Sequence, residues 1–247
     1  MRGIVFAKRT AKEILRDPLS YIFCLGFPIV MLLVMTLVNN SIPKQAAMTI
    51  FEPENLVPGI AYFGLSFVMI FISIQLAGDR TTSLLMRMHA SPMKAFDYIL
   101  GYTLPALLIS VLQVCITYTV GCVVAVASGK ALAMDAVLFG IVKLVPSMLV
   151  FIALGLIVGT VFNEKAAPGI CSIVVTVSGM LGGVWMPVDN LGGVLLKVCK
   201  CMPFYHGVYA ARYAECGTSL LITIGFAVVF YVLSVLLIGV KWKKDVA

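Results

Sequence analysis

Charge is what this sequence has least of. Asp, Glu, Lys and Arg make up 12% of its 247 residues, where a soluble domain carries roughly 25%. With 61% of the residues apolar, too little polar surface remains to cover a water-facing body. That excludes a soluble enzyme, a disordered tail and a nucleic-acid module. Histidine is scarcer still: His89 and His206 stand far apart and suggest no metal site. The sequence contains no G-x-x-x-x-G-K-S/T phosphate loop, no G-x-S-x-G elbow and no H-E-x-x-H helix. Nor do the apolar runs hold paired acids of the kind that carry protons through secondary carriers. If this chain moves something uphill, the energy comes from another chain. The chain itself is expected to be no enzyme, with no catalytic residue and no cofactor of its own.

What is present is long apolar sequence, with a mean hydropathy of +1.06. At about 20 residues per crossing, the length allows roughly six spans. The runs are about Leu19–Val38, Gly59–Gly78 and Tyr98–Ala127, then one ending near Phe162, one ending near Trp185, and about Thr218–Val240. The reading is therefore an all-α membrane protein with six transmembrane helices in a single domain, residues 1–247. The opening residues do not form a cleavable signal. The basic stretch continues to Arg16, and the first apolar run is too long and lacks a small-residue cleavage site.

Residues 1–18 predict an amphipathic helix lying along the membrane interface. Ile4, Phe6, Ala7, Ala11, Ile14 and Leu15 suit one face and Lys8, Arg9, Lys12 and Arg16 the other, with Pro18 as the break. An ordinary basic flank has the same composition. With an inner N-terminus, the inner segments hold twelve Lys and Arg and the outer ones six. The positive-inside bias then places both termini in the cytoplasm of a multi-pass cell-membrane protein. The net charge of +7 reports topology, not a nucleic-acid partner.

Two segments between spans carry the functional signal. DRTTSLLMRMHASPMKAFDYILG, from Asp79, reads as a short inner helix to about His89, ended by Pro92. Asp79 stands at its N-terminal end, where an acid complements the helix dipole. A plain reinsertion loop has the same pattern. Later, LGGVWMPVDNLGGVLLKVCKCMPFYHGVYAARY combines Pro187 as a helix stop with an apolar side of Leu191, Leu195, Leu196 and Val198. The alternative there is a simple outer loop.

The first segment resembles the cytoplasmic signature of type-2 ABC permeases, roughly E-R-E-x-G-T-L-E-R-L-L-A-S-P. It matches without a gap at Asp79, Arg80, Leu85, Arg87, Met88, Ala90, Ser91 and Pro92. It departs at Thr81, Ser83, Leu84 and Met86, which removes two acids that would pair with a nucleotide-binding subunit. Tyr102 also replaces a frequent Lys after Gly101. The second segment is similar to the family's Met-Pro element, re-entrant helix and second Pro with aromatics, at Met186, Pro187, Leu191, Pro203, Phe204 and Tyr205. The resemblance covers essentially the whole chain.

It implies a membrane subunit of the type V exporter fold, like the ABCG half-transporters. Residues 79–97 would be the coupling segment, with Asp79, Arg80, Arg87, Met88, Ser91 and Pro92 meeting an ABC ATPase subunit that binds ATP and Mg. Residues 185–217 would be the outer re-entrant segment, with Met186, Pro187 and Pro203 at its gate. A second permease subunit, identical or homologous, would complete a substrate cavity lined by Phe67, Phe71 and Gln75 on span two and Ser172, Thr176 and Met180 on span five. Transport would proceed by alternating access. A short permease of this kind resembles exporters of drugs, antibiotics or antimicrobial peptides, with carbohydrate or lipid-linked polymer export second. An intramembrane enzyme using His89, His206, Glu164 or Glu215, and a stand-alone secondary carrier, rank below both.

Smaller signals stay open in sequence. Gly155-x-x-x-Gly159 and Gly179-x-x-x-Gly183 fit contacts within one subunit or a dimer seam. Lys143 reads as a snorkelling cation or an anion contact. Seven cysteines do not make a full disulfide framework, but Cys216 has Cys199 and Cys201 as candidate partners.

Overall fold

The computed structural model describes residues 2–43, 48–81 and 95–246. Among the described residues all regular structure is helical. Helix α1 is Arg2–Arg16. A single turn, Pro18–Tyr21, leads into α2, Ile22–Ser41. Then follow α3 (Pro53–Thr81), α4 (Ala95–Ala127) and α5 (Met134–Val161, stepped at Leu144). The last four are α6 (Ala167–Leu181), α7 (Gly193–Cys201), α8 (Pro203–Arg212) and α9 (Gly217–Val246).

Among the described residues, five helices rather than six have the length and apolarity to cross a bilayer: α2, α3, α4, α5 and α9. The fifth expected span, α6, has 15 residues, about 22 Å at 1.5 Å per residue. It stops at Leu181 instead of near Trp185 because Gly182 and Gly183 turn the chain. Gly183 has a φ of +84°, a conformation other residues rarely adopt.

Helices α3 and α5 form the centre of the bundle, and the others surround them. Their contact is set by glycine. A Cβ added at Gly155 would lie 2.7 Å from the Met69 carbonyl oxygen, and one at Gly159 would lie 2.8 Å from that of Ser73. The Gly155-x-x-x-Gly159 pair therefore brings two helices of one subunit together. Helix α9 leans on α5 through Ser234, whose hydroxyl donates to the Ala153 carbonyl at 3.3 Å. Proline adjusts the peripheral α2. Pro28 has no N–H for a helical bond, and the turn before it widens to a π-helix over Ile22–Gly26, with the Phe27 N–H reaching the Ile22 carbonyl.

Helix α1 is present, and its buried edge takes in only part of its apolar stripe. Gly3, Phe6, Ala7 and Thr10 are buried, whereas Ile4 and Leu15 are exposed. Gly3 lets the helix close on the start of α4, where an added Cβ would meet the Asp97 carbonyl oxygen at 3.1 Å. Phe6 then inserts against Tyr98 and Tyr102, with ring centroids 5.5 and 5.3 Å away.

Candidate functional site

At the α1 end, three helices meet in a polar cluster. Arg9 of α1 pairs with Glu13 at 2.6 Å and reaches Asp79 of α3 at 3.3 Å. Gln75 of α3 donates to Glu13 at 3.2 Å. The Tyr102 hydroxyl of α4 donates to the other oxygen of Asp79. Burial lowers the pKa of Arg9, but the charges of Asp79 and Glu13 raise it by more, and the net shift is upward.

Asp79 therefore does not start a separate inner helix. It lies in the last turn of α3, which continues to Thr81. There an acid opposes the dipole, and Arg9 and Tyr102 compensate. Arg80 turns the other way and donates to the carbonyls of Gly159 (3.0 Å), Thr160 and Phe162 (3.3 Å), capping the C-terminal end of α5. The remaining coupling candidates, Arg87, Met88, Ser91 and Pro92, and also His89, lie outside the described residues. Arg9, Glu13 and Tyr102 were missing from the expected set. Tyr102 had left a trace in the sequence, as the departure from a frequent Lys.

In the middle of the bundle, Phe67, Phe71 and Gln75 do share one face of α3, and all three are half-buried. The face is partly covered from within the chain: Phe27 packs at a tilt on Phe67 at 4.6 Å and Phe23 approaches Phe71 at 6.5 Å, both from α2. Ser172, Thr176 and Met180 form an exposed stripe on α6. The opposite edge of α6 packs on α3, where the Ser73 hydroxyl lies 3.2 Å from the Cys171 sulfur. The two trios therefore do not converge within one chain. Each α6 hydroxyl is satisfied by its own helix, Ser172 by the Pro168 carbonyl and Thr176 by that of Ser172.

At the distal end, the segment from Trp185 to Gly217 folds as a turn over Val188–Asn190 and two short helices, α7 and α8. Met186 and Pro187 are half-buried before that turn, and buried Pro203 starts α8. Leu191 and Leu196 pack inward, while Leu195 and Val198 are exposed. Arg212, at the end of α8, clamps two backbone segments by donating to Asn55 O (2.9 Å) on one and to Gly183 O (2.7 Å) and Val184 O (3.4 Å) on the other. Burial lowers its pKa to about 10, with Tyr213 and Asp189 opposing, so it stays a cation at neutral pH. His206 bridges Ser219 (3.1 Å) and the Lys200 carbonyl (2.8 Å). Tyr205 donates to Asp189 at 2.7 Å. Lys143 donates to the Tyr213 carbonyl at 3.0 Å. Cys199, Cys201 and Cys216 are free thiols.

Comparison with known proteins agrees with this all-helical, membrane-spanning architecture. Residues 3–216, nearly the whole chain, match the family described as ABC-2 type transporter. The Bacillus subtilis (strain 168) protein named "Putative transport permease YvfS" is 22% identical over 229 residues, covering 90% of this chain and 91% of that protein.

Proposed function

The chain belongs to the ABC-2 type transporter family, and from that premise we propose that it is an export permease, moving an amphipathic substrate such as a drug, antibiotic or antimicrobial peptide out of the cell. The family makes it a membrane permease subunit of an ABC transporter, working with a separate ABC ATPase. The finer reading adds a sixth crossing, made by the short α6, and puts the α1 end and both termini in the cytoplasm. Two permease subunits pair, so that Ser172, Thr176 and Met180 of one copy face a cavity shared with Phe67, Phe71 and Gln75 of the other.

The observation that supports this most is the open hydroxyl-and-thioether stripe on α6. In an otherwise apolar helix, such a face suits a passage for amphipathic molecules better than bulk lipid. On the cytoplasmic side, the Arg9–Asp79 pair ties α1 to the last turn of α3, immediately before the segment that would seat in the ATPase. Closure of the ATPases would then move α1, α3 and α4 together.

Inside-out vesicles carrying the permease with its ATPase partner test the proposal. They should accumulate a fluorescent amphipathic dye only with ATP. Replacing Thr176 with Trp should reduce uptake about tenfold, with membrane insertion unchanged. Uptake that persists with ATP depleted, or that ignores the Trp, overturns it.

A further inference from the structure

At the distal end, a cavity of about 450 Å³ lies between α3, α4, the first segment of α5 and the end of α8. Its volume falls within the roughly 300–1,000 Å³ of small-ligand sites. Glu54 and Asp135 stand in the first turns of α3 and α5, where the helix dipoles favour negative charge. Neither forms an ion pair among the described residues. Lys143 also lines the cavity, and after its bond to the Tyr213 carbonyl its ammonium keeps two N–H donors. Arg212 borders the site too; three of its five N–H donors go to carbonyls, and its charge adds to that of Lys143.

Apolar side chains complete the wall, among them Leu132 in the link before α5 and Phe139, exposed at the cavity's edge. Tyr118 closes the inner wall. It packs against α5 at Gly140, between the charged Asp135 and Lys143 on that helix. It is 3% exposed, and its hydroxyl is buried without a hydrogen-bond partner. It rests against Gly140, where any side chain would overlap it. Folded proteins seldom leave such a group unpaired.

We infer that this cavity is a lateral binding site for one zwitterionic amphiphile. Its ammonium lies between Glu54 and Asp135, its phosphate-type anion on Lys143, an ester or hydroxyl oxygen at Tyr118, and its chain runs out past Phe139. The balance of charges carries the choice. Unpaired acids alone would take a cation and Lys143 alone an anion, but both signs at one mouth over an apolar wall match a head group that holds both. A small opening of the Tyr118–Gly140 contact exposes the hydroxyl to the ligand. The site is complete within one copy of the chain and does not depend on the direction of transport.

Binding to the full-length chain, purified in a non-ionic maltoside detergent, tests this apart from transport. Titration with lysophosphatidylethanolamine, an alkyltrimethylammonium and an alkyl phosphate of equal chain length should favour the zwitterion at least about tenfold over either single charge. The Glu54→Gln/Asp135→Asn double variant and Lys143→Gln should each weaken it about tenfold. Tyr118→Phe should weaken it roughly threefold or more without lowering the melting temperature, since it removes only an unpaired buried hydroxyl. Mass spectrometry of protein drawn from phosphatidylethanolamine and from phosphatidylglycerol nanodiscs separates the sources. Retention of the zwitterionic lipid identifies a bilayer lipid, whereas binding only of the lyso-compound identifies a dissolved amphiphile. Equal binding of singly charged chains, no binding of the zwitterion, or unaltered affinity in Tyr118→Phe and the double variant overturns the inference.

Discussion

The helices at the two ends of the bundle are attached differently. Helix α1 is held by side chain on side chain, Arg9 with Glu13 and Asp79, Gln75 with Glu13, Tyr102 with Asp79, while beside it Arg80 caps α5 on its carbonyls. At the distal end, single side chains hold backbone: Arg212 on the carbonyls of Asn55, Gly183 and Val184, and His206 on that of Lys200. Part-exposed ion pairs are individually weak and exchange partners readily. A buried carbonyl stripped of its donor has no replacement, and the loss is felt in full. The attachment of α1 is thus a joint that rearranges at low cost, and the Arg212 clamp a fixed frame.

The largest effect that can break this contrast is removal of the clamp. Arg212→Ala should lower stability by about 3 kcal/mol, since it leaves several carbonyls unpaired at once. Thermal unfolding in detergent measures it, and a change under about 1 kcal/mol would show that the frame is held by packing alone. Asp79→Asn should cost less, about 1 kcal/mol or below, because Arg9 is 36% exposed there. Its effect should appear instead in transport-coupled ATPase turnover, measured on the reconstituted complex.

The smallest effects concern solution conditions. Raising salt to about 1 M, where screening acts within about 3 Å, should erase most of the Asp79→Asn difference and leave that of Arg212→Ala intact. Arg212 has a folded-state pKa lowered to about 10 from 12.5. Between those values the unfolded chain binds more protons, so this group makes stability rise with pH only in that window. Below it the clamp is fully charged, and the penalty of Arg212→Ala should stay constant from pH 6 to pH 9.

The long crossings were legible because nothing but a bilayer accommodates such apolar runs, and the helices begin and end within a few residues of them. The face of α1 was legible in part. Phe6 and Ala7 of its apolar stripe are buried, while Ile4 and Leu15 turn outward and Gly3 and Thr10 join the protein contact. Periodicity of hydrophobicity does not say which part of an apolar stripe meets protein. Asp79 was read as a helix start because acids favour that position; what overrides the rule is Arg9, distant in sequence, with which it pairs. The cavity trios were half legible: each shares a helix face, but which face meets α3 depends on Cys171 and Ser73, small residues without a pattern. The Arg212 clamp could not be read at all, because its acceptors are carbonyls, which every residue carries.

The brevity of α6 has a further consequence. If α6 makes the proposed sixth crossing, its 15 residues leave about 8 Å of a typical 30 Å hydrocarbon slab unmatched. The turn through Gly183 and Val184 would then lie where oil surrounds naked peptide groups, which no bilayer tolerates. The Arg212 guanidinium there would serve as a substitute for water. Around such a helix the membrane would pinch inward or admit a wet dimple, and lipid thickness would become a dial acting on the protein from outside.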